Sequence, residues 1–188
     1  MQYRQLLVAG LVTFSGAAFG DAIEQYETVE ELIEAHNDYH AENNTFEMLD
    51  ASIPHYRLSK VMIEGTPDIF NYYENWRAAA YGIYNVFAHT PIESVSVTAV
   101  PYQVKNLHNQ EEGQLLEDRS IDIEIKREQA LDAMASLIDI DSLADVKTQT
   151  EYGTQWSENF LGIYYEHESP GLDALINELK PYCTNSCK

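Results

Sequence analysis

Residues 67–88 constrain the fold more than any other segment. Between Asn75 and His89 the only charged side chain is Arg77. Ile69, Tyr72, Tyr73, Trp76, Ala80, Ile83, Tyr84 and Phe87 recur at helical spacing and form a broad apolar face. A helix this apolar must be covered on most of its circumference. Ala78, Ala79, Ala80 and Gly82 keep one side slim, which predicts close approach to a sheet. Thr66 reads as the cap and Pro67 as the first helical residue, with the end near Thr90-Pro91.

The strands that would receive this helix are legible on both sides of it. Residues 56–63 are strand-compatible and stop at Gly65-Thr66-Pro67. In 94–103, Val95, Val97 and Ala99 point one way and Ser96, Thr98 and Val100 the other, with Pro101 marking an end, bulge or edge. Residues 119–126 alternate cleanly, Ile121, Ile123 and Ile125 against Asp122, Glu124 and Lys126. Such a strand needs one buried and one wet face. Helices are further predicted over 26–42, capped by Thr28 with Glu31 three residues on, over 127–138, and from Pro170 to Leu179. Residues 154–167 fit a helix, although Phe160 to Tyr165 also suit a strand. The order β-α-β-β-α implies a parallel first crossover and an antiparallel second pairing. The expected fold class is α+β, a two-layer single domain whose small mixed β-sheet is covered by helices on one face.

The first twenty residues read as a secretory signal. Arg4 supplies a positive start, Leu6 to Phe14 are almost all apolar, and Ala18-Phe19-Gly20 fits the small-residue cleavage rule. The apolar run is shorter than the roughly 20 residues needed to span a bilayer. The expected organisation is a signal at 1–20, one domain over 21–180, and a tail at 181–188. Both cysteines, Cys183 and Cys187, fall in that tail, and an even count in an oxidising compartment predicts a disulfide between them. The expected location is periplasmic or secreted, with no stable membrane insertion after cleavage.

Charge removes one class of partner. Asp and Glu number 31 against 11 Lys and Arg, a net charge of −20. Nucleic acid binding needs a basic stripe to neutralise phosphates, and none is present. No nucleophile elbow, phosphate loop, dinucleotide fingerprint or zinc-protease motif occurs.

Candidate site residues are therefore scattered. His36 and His40 stand at i and i+4, a spacing that on a helix can hold Zn²⁺ or Cu²⁺. Two ligands do not complete a site, and a solvated helix end is the simpler reading, so no cofactor is expected. His89 either caps the negative end of the central helix or serves a ligand as a base. Arg77 either pairs with Glu74 or meets an anionic ligand. Asp122 and Glu124, on the wet strand face, are candidates for a partner surface. Asp139, Asp141 and Asp145 fail the calcium-loop pattern and suit turns and caps. Together these features lead to an exported, non-enzymatic protein. It would bind a protein partner through the open sheet face or a small ligand beside the central helix. A metal-binding role through His36 and His40 is the alternative, and a small hydrolase using His89 or His167 the third.

Overall fold

A computed structural model of the chain describes residues 23–108, 110–166, 170–185 and 187. The expected signal at 1–20 and His167 lie outside the described residues. The first helix, α1 (Val29–His36), begins where the sequence places its cap: Glu31 N–H donates to Thr28 Oγ1 at 3.2 Å. It ends six residues earlier than the 26–42 pattern predicts. Asn37 turns left-handed at φ 60°, a conformation Asn tolerates, and stops the helix.

β1 (Phe46–Asp50) and β2 (His55–Leu58) form an antiparallel hairpin. β3 (Val61–Ile63) continues the direction of β2 after a break, so the single strand expected over 56–63 is two. The central helix, α2 (Asp68–His89), leads to β4 (Ser94–Ala99), which runs parallel to β2. β5 (Tyr102–Val104) follows beyond Pro101, which lacks the N–H that an unbroken ladder would use. It pairs with β3 and with the short β6 (Gln114–Leu115). β7 (Ile121–Lys126) closes the principal sheet antiparallel to β4, giving the order β1-β2-β4-β7. The fold is thus α+β with mixed sheets, as the β-α-β-β-α pattern predicts.

Register explains the two faces. Val95, Val97 and Ala99 stand opposite Ile125, Ile123 and Ile121, while Tyr56 and Leu58 stand beside Val97 and Ala99. All of these side chains are buried on the side where Gly82 of α2 meets Leu58 and Val97. Each fully buried Ile of β7 contributes about 1.5–3 kcal/mol of apolar transfer.

The rest of the chain wraps the other side of α2. α3 (Arg127–Ala135) leads to a hairpin of β8 (Lys147–Thr150) and β9 (Gly153–Trp156). α4 (Glu158–Tyr165) and α5 (Leu172–Leu179) follow. The described part of the 154–167 segment therefore resolves into a strand end and a helix. The Asp139–Asp145 turn is a cap, Asp145 accepting the Asp141 and Ser142 amides at 3.0 and 2.7 Å. Cys183 and Cys187 are disulfide-bonded. Cys183 bridges to Ile123 and Thr184 N–H donates to the Asp122 carbonyl at 2.8 Å, so the tail covers part of the outer edge of β7.

Arg127 closes the end of α2 and has no motif to announce it. Its guanidinium donates to the carbonyls of Phe87 (2.6 Å), Thr90 and Ile92 and lies 5.0 Å over the Phe87 ring. Arg127→Ala strands these carbonyls and should cost about 2 kcal/mol, with no rescue by lysine, whose point charge lacks the fork. Urea unfolding of the two variants measures this; a native midpoint for Arg127→Lys would show that charge alone suffices.

Candidate functional site

α2 carries a cluster of buried polar groups toward each end. At its N-terminal end a cavity of about 250 Å³ is lined by Asn71, Tyr72 and Asn75 of the helix, with Pro101, Asp118 and Arg119 across from them. Asn71 and Asn75 are separated by one helical turn and are 3 % and 1 % exposed. Their amide nitrogens are taken: Asn75 Nδ2 donates to the Arg119 carbonyl at 2.9 Å and Asn71 Nδ2 to the Thr66 carbonyl at 3.4 Å. These bonds fix which end of each amide is oxygen. Both Oδ1 atoms are buried and have no hydrogen-bond partner among the described residues. An unsatisfied buried acceptor costs about 1–3 kcal/mol. Asp68 and Ile121 complete the lining, and Arg119 Nη1 pairs with Asp68 Oδ1 at 2.8 Å on the exposed side.

Toward the C-terminal end of α2 lies a second polar group. Tyr81, Asn85 and His89 fall four residues apart and so form one stripe. Tyr81 donates to Asp38 Oδ2 at 2.7 Å. Asn85 Nδ2 donates to the Tyr81 hydroxyl and to His36 Nδ1, each at 3.1 Å. The His36 ring stands edge-on to His89, centroids 4.6 Å apart. His89 Nδ1 donates to the Glu24 carbonyl at 2.8 Å, which leaves Nε2 as a buried acceptor without a partner among the described residues. Burial pushes His89 down to about 4, the Glu24 bond opposing it, and burial together with Lys147 lowers His36. The His89 ring is thus neutral at pH 7.

His36 and Asp38 also line an open cleft of about 520 Å³ with Lys147, Trp156 and Tyr165. Lys147 and Trp156 are direct cross-strand partners in the β8–β9 hairpin. The ammonium nitrogen sits 3.2 Å from the centre of the indole, whose ring system also stacks with Phe160 at 4.3 Å.

The structure brings together some expected residues and separates others. His36 and His89 meet, which spacing along the chain did not indicate. His36 and His40 do not share a helix face, because α1 ends at His36 and His40 precedes a separate short helical turn. Among the described residues no group of three or more His, Cys, Asp or Glu is placed to hold a metal ion. Arg77 pairs with Glu74 at 2.5 Å and donates to the Tyr164 carbonyl at 3.0 Å, so it ties α4 to α2. On the open sheet face, Asp122 accepts from Thr98 at 2.6 Å, and from Asn185, while His55 Nε2 lies 3.0 Å from the Thr98 hydroxyl. Asp122 is therefore occupied internally, whereas Glu124 is exposed. A pair of Asn at i and i+4 within an apolar helix is the sequence signal that points to Asn71 and Asn75, whereas no local pattern singles out Lys147. No protein-family model, curated protein or solved structure matches the chain. The chemistry of these side chains is the basis for a functional reading.

Proposed function

We propose that this is an exported, non-catalytic binding protein whose ligand is a small organic ammonium compound held at the N-terminal end of α2. The observation that carries the reading is the pair of buried, unpartnered Asn71 and Asn75 oxygens beside a cavity of about 250 Å³. One water occupies about 30 Å³, so the space suits a small molecule. An ammonium group is all donor and no acceptor, the complement of two amide oxygens and the carboxylates of Asp68 and Asp118. Tyr72, Pro101 and Ile121 give an apolar wall for a short alkyl chain. A bare divalent ion fits less well, since it prefers six or more oxygens around it. The net charge of −20 draws cations toward the molecule from every side. The Arg119–Asp68 pair is exposed and exchangeable, so an incoming ammonium competes with Arg119 for that carboxylate. Export is supported by the signal-like first twenty residues and by the Cys183–Cys187 bridge. A protein partner on the open sheet face has less behind it, because Asp122 is already satisfied.

Isothermal calorimetry with diaminobutane and butylamine tests the proposal. One site is expected, weakening with salt. Asn75→Leu removes one acceptor and should reduce affinity about tenfold or more, the cost of a hydrogen bond to a charged donor. Asp118→Asn, on an exposed residue that does not bear on folding, should weaken binding more modestly. Absence of heat with both amines, or native affinity in Asn75→Leu, would overturn the assignment.

A further inference from the structure

The geometry points to Lys147 as an amine that captures a small aldehyde or ketone, as an imine, in the cleft shared with His36 and Asp38. This site is separate from the ammonium cavity and stands or falls independently of it. Lys147 is 8 % exposed yet lines an open cleft, so it is desolvated without being sealed off. The described residues contain three ion pairs, and Lys147 belongs to none of them. Among the described residues its ammonium nitrogen lies against the indole face of Trp156. Cross-strand pairing of Lys147 with Trp156 fixes both backbones, so the amine is held in place. A buried ammonium outside ion-pair range of any carboxylate among the described residues has an economical way out, which is to lose its proton. What remains is a primary amine with a free lone pair, the nucleophile of Schiff-base chemistry.

The reaction balances with the groups present. The Nζ lone pair attacks the carbonyl carbon, a C–N bond forms, and one nitrogen proton passes to the oxygen, giving a carbinolamine. The hydroxyl then leaves as water, taking one proton, while the nitrogen gives up its second to form C=N. No oxidant or reductant is consumed. Two neighbours can shuttle those protons: the carboxylate of Asp38, held by the Tyr81 hydroxyl at 2.7 Å, and the imidazole of His36. Burial pushes Lys147 down to about 7, with Asp38 opposing the fall. About half of the molecules then carry the free amine at neutral pH, against roughly one in 2,500 for an ordinary lysine. The titratable groups around Lys147 are His36 and Asp38 from the α1 side, His89 and Tyr81 from α2, and Tyr165 from α4. Both histidines are lowered, by burial first and with the Lys147 charge contributing, and Tyr81 is raised by burial.

The test is reductive trapping on the native, disulfide-intact protein. Glyoxylate and cyanoborohydride are added between pH 6 and 9, and peptide mass spectrometry reads the adduct on each lysine. Lys147 is expected to be modified about tenfold or more faster than Lys60, Lys105 or Lys126 at pH 7, with a rate midpoint near pH 7. Lys147→Arg should lose the fast adduct and keep the slow ones, with circular dichroism confirming its fold. Even modification of all lysines, or a Lys147 rate that only climbs above pH 9, would overturn the proposal.

Discussion

Gly82→Val is expected to destabilise the protein by about 3 kcal/mol or more, a large part of the total for a domain of this size. Gly82 sits in the middle of α2, where the helix crosses β2 and β4. A single added Cβ would lie 3.0 Å from Leu58 Cδ1, 3.0 Å from Val97 Cγ1 and 3.3 Å from Tyr56 Cε2. The neighbours are side-chain ends, so alanine can be met by small shifts, and its better helix propensity offsets part of the strain. Valine adds two methyls whose χ1 is restricted in a helix, and the sheet leaves them nowhere to go. Displacing the helix also breaks the bond from the Tyr56 hydroxyl to the Gly82 carbonyl, 3.1 Å. Gly162 in α4 is the control, since nothing lies within 4 Å of its Cβ position. Gly162→Ala should therefore stabilise by about 0.5–1 kcal/mol. Urea unfolding of the set reads both signs at once, and a native midpoint for Gly82→Val would mean that α2 does not seat on the sheet at Gly82.

That close approach was readable from the run Ala78, Ala79, Ala80, Gly82, and the face it meets from the alternation of Ile121, Ile123 and Ile125. Where a segment buries a regular set of side chains, its pattern is visible. β1 and β8 bury little of such a set. β1 half-buries only Phe46 and Met48 and exposes Leu49 with Glu47 and Asp50, and β8 buries only Lys147, so each signal is too short to stand out. The helix expected over 26–42 failed at one residue, Asn37, whose left-handed turn costs little locally and outweighed the periodic pattern on either side. The same turn dissolved the i, i+4 relation between His36 and His40.

The sites were less legible than the fold for a related reason. Asn71 and Asn75 are polar residues placed in a buried helix face, and a periodicity argument treats them as noise. The partnership of Lys147 with Trp156 depends on the register of a hairpin whose first strand left no signal. The alternation in β7 puts Asp122 on its wet face, yet its availability depends on Thr98 and Asn185, one on a neighbouring strand and one in the tail. Local sequence reports which way a side chain points, and tertiary pairing decides whether it is free.

Lys147→Met should yield a protein more stable than the native chain at neutral pH. The Lys147 amine falls from its ordinary 10.5 to about 7 in the folded state, burial being the main cause. Because the folded value lies below the unfolded one, the folded state is penalised wherever the ammonium persists. Below pH 7 both states are protonated and the penalty is complete. Between pH 7 and 10.5 the unfolded chain keeps its proton while the folded one does not, so stability recovers as pH rises. The full penalty is about 5 kcal/mol, and loss of the contact with Trp156 returns about 1–2 kcal/mol of it on substitution. A gain of about 3 kcal/mol is left at pH 7, shrinking toward pH 10. Comparing native and variant at each pH cancels the buried tyrosines, whose raised values destabilise the fold only in strong alkali. The variant should also lose the fast glyoxylate adduct. Stability gained together with reactivity lost is the mark of a residue kept for its chemistry at the expense of the fold. A less stable Lys147→Met at every pH would instead make Lys147 a packing element of the hairpin.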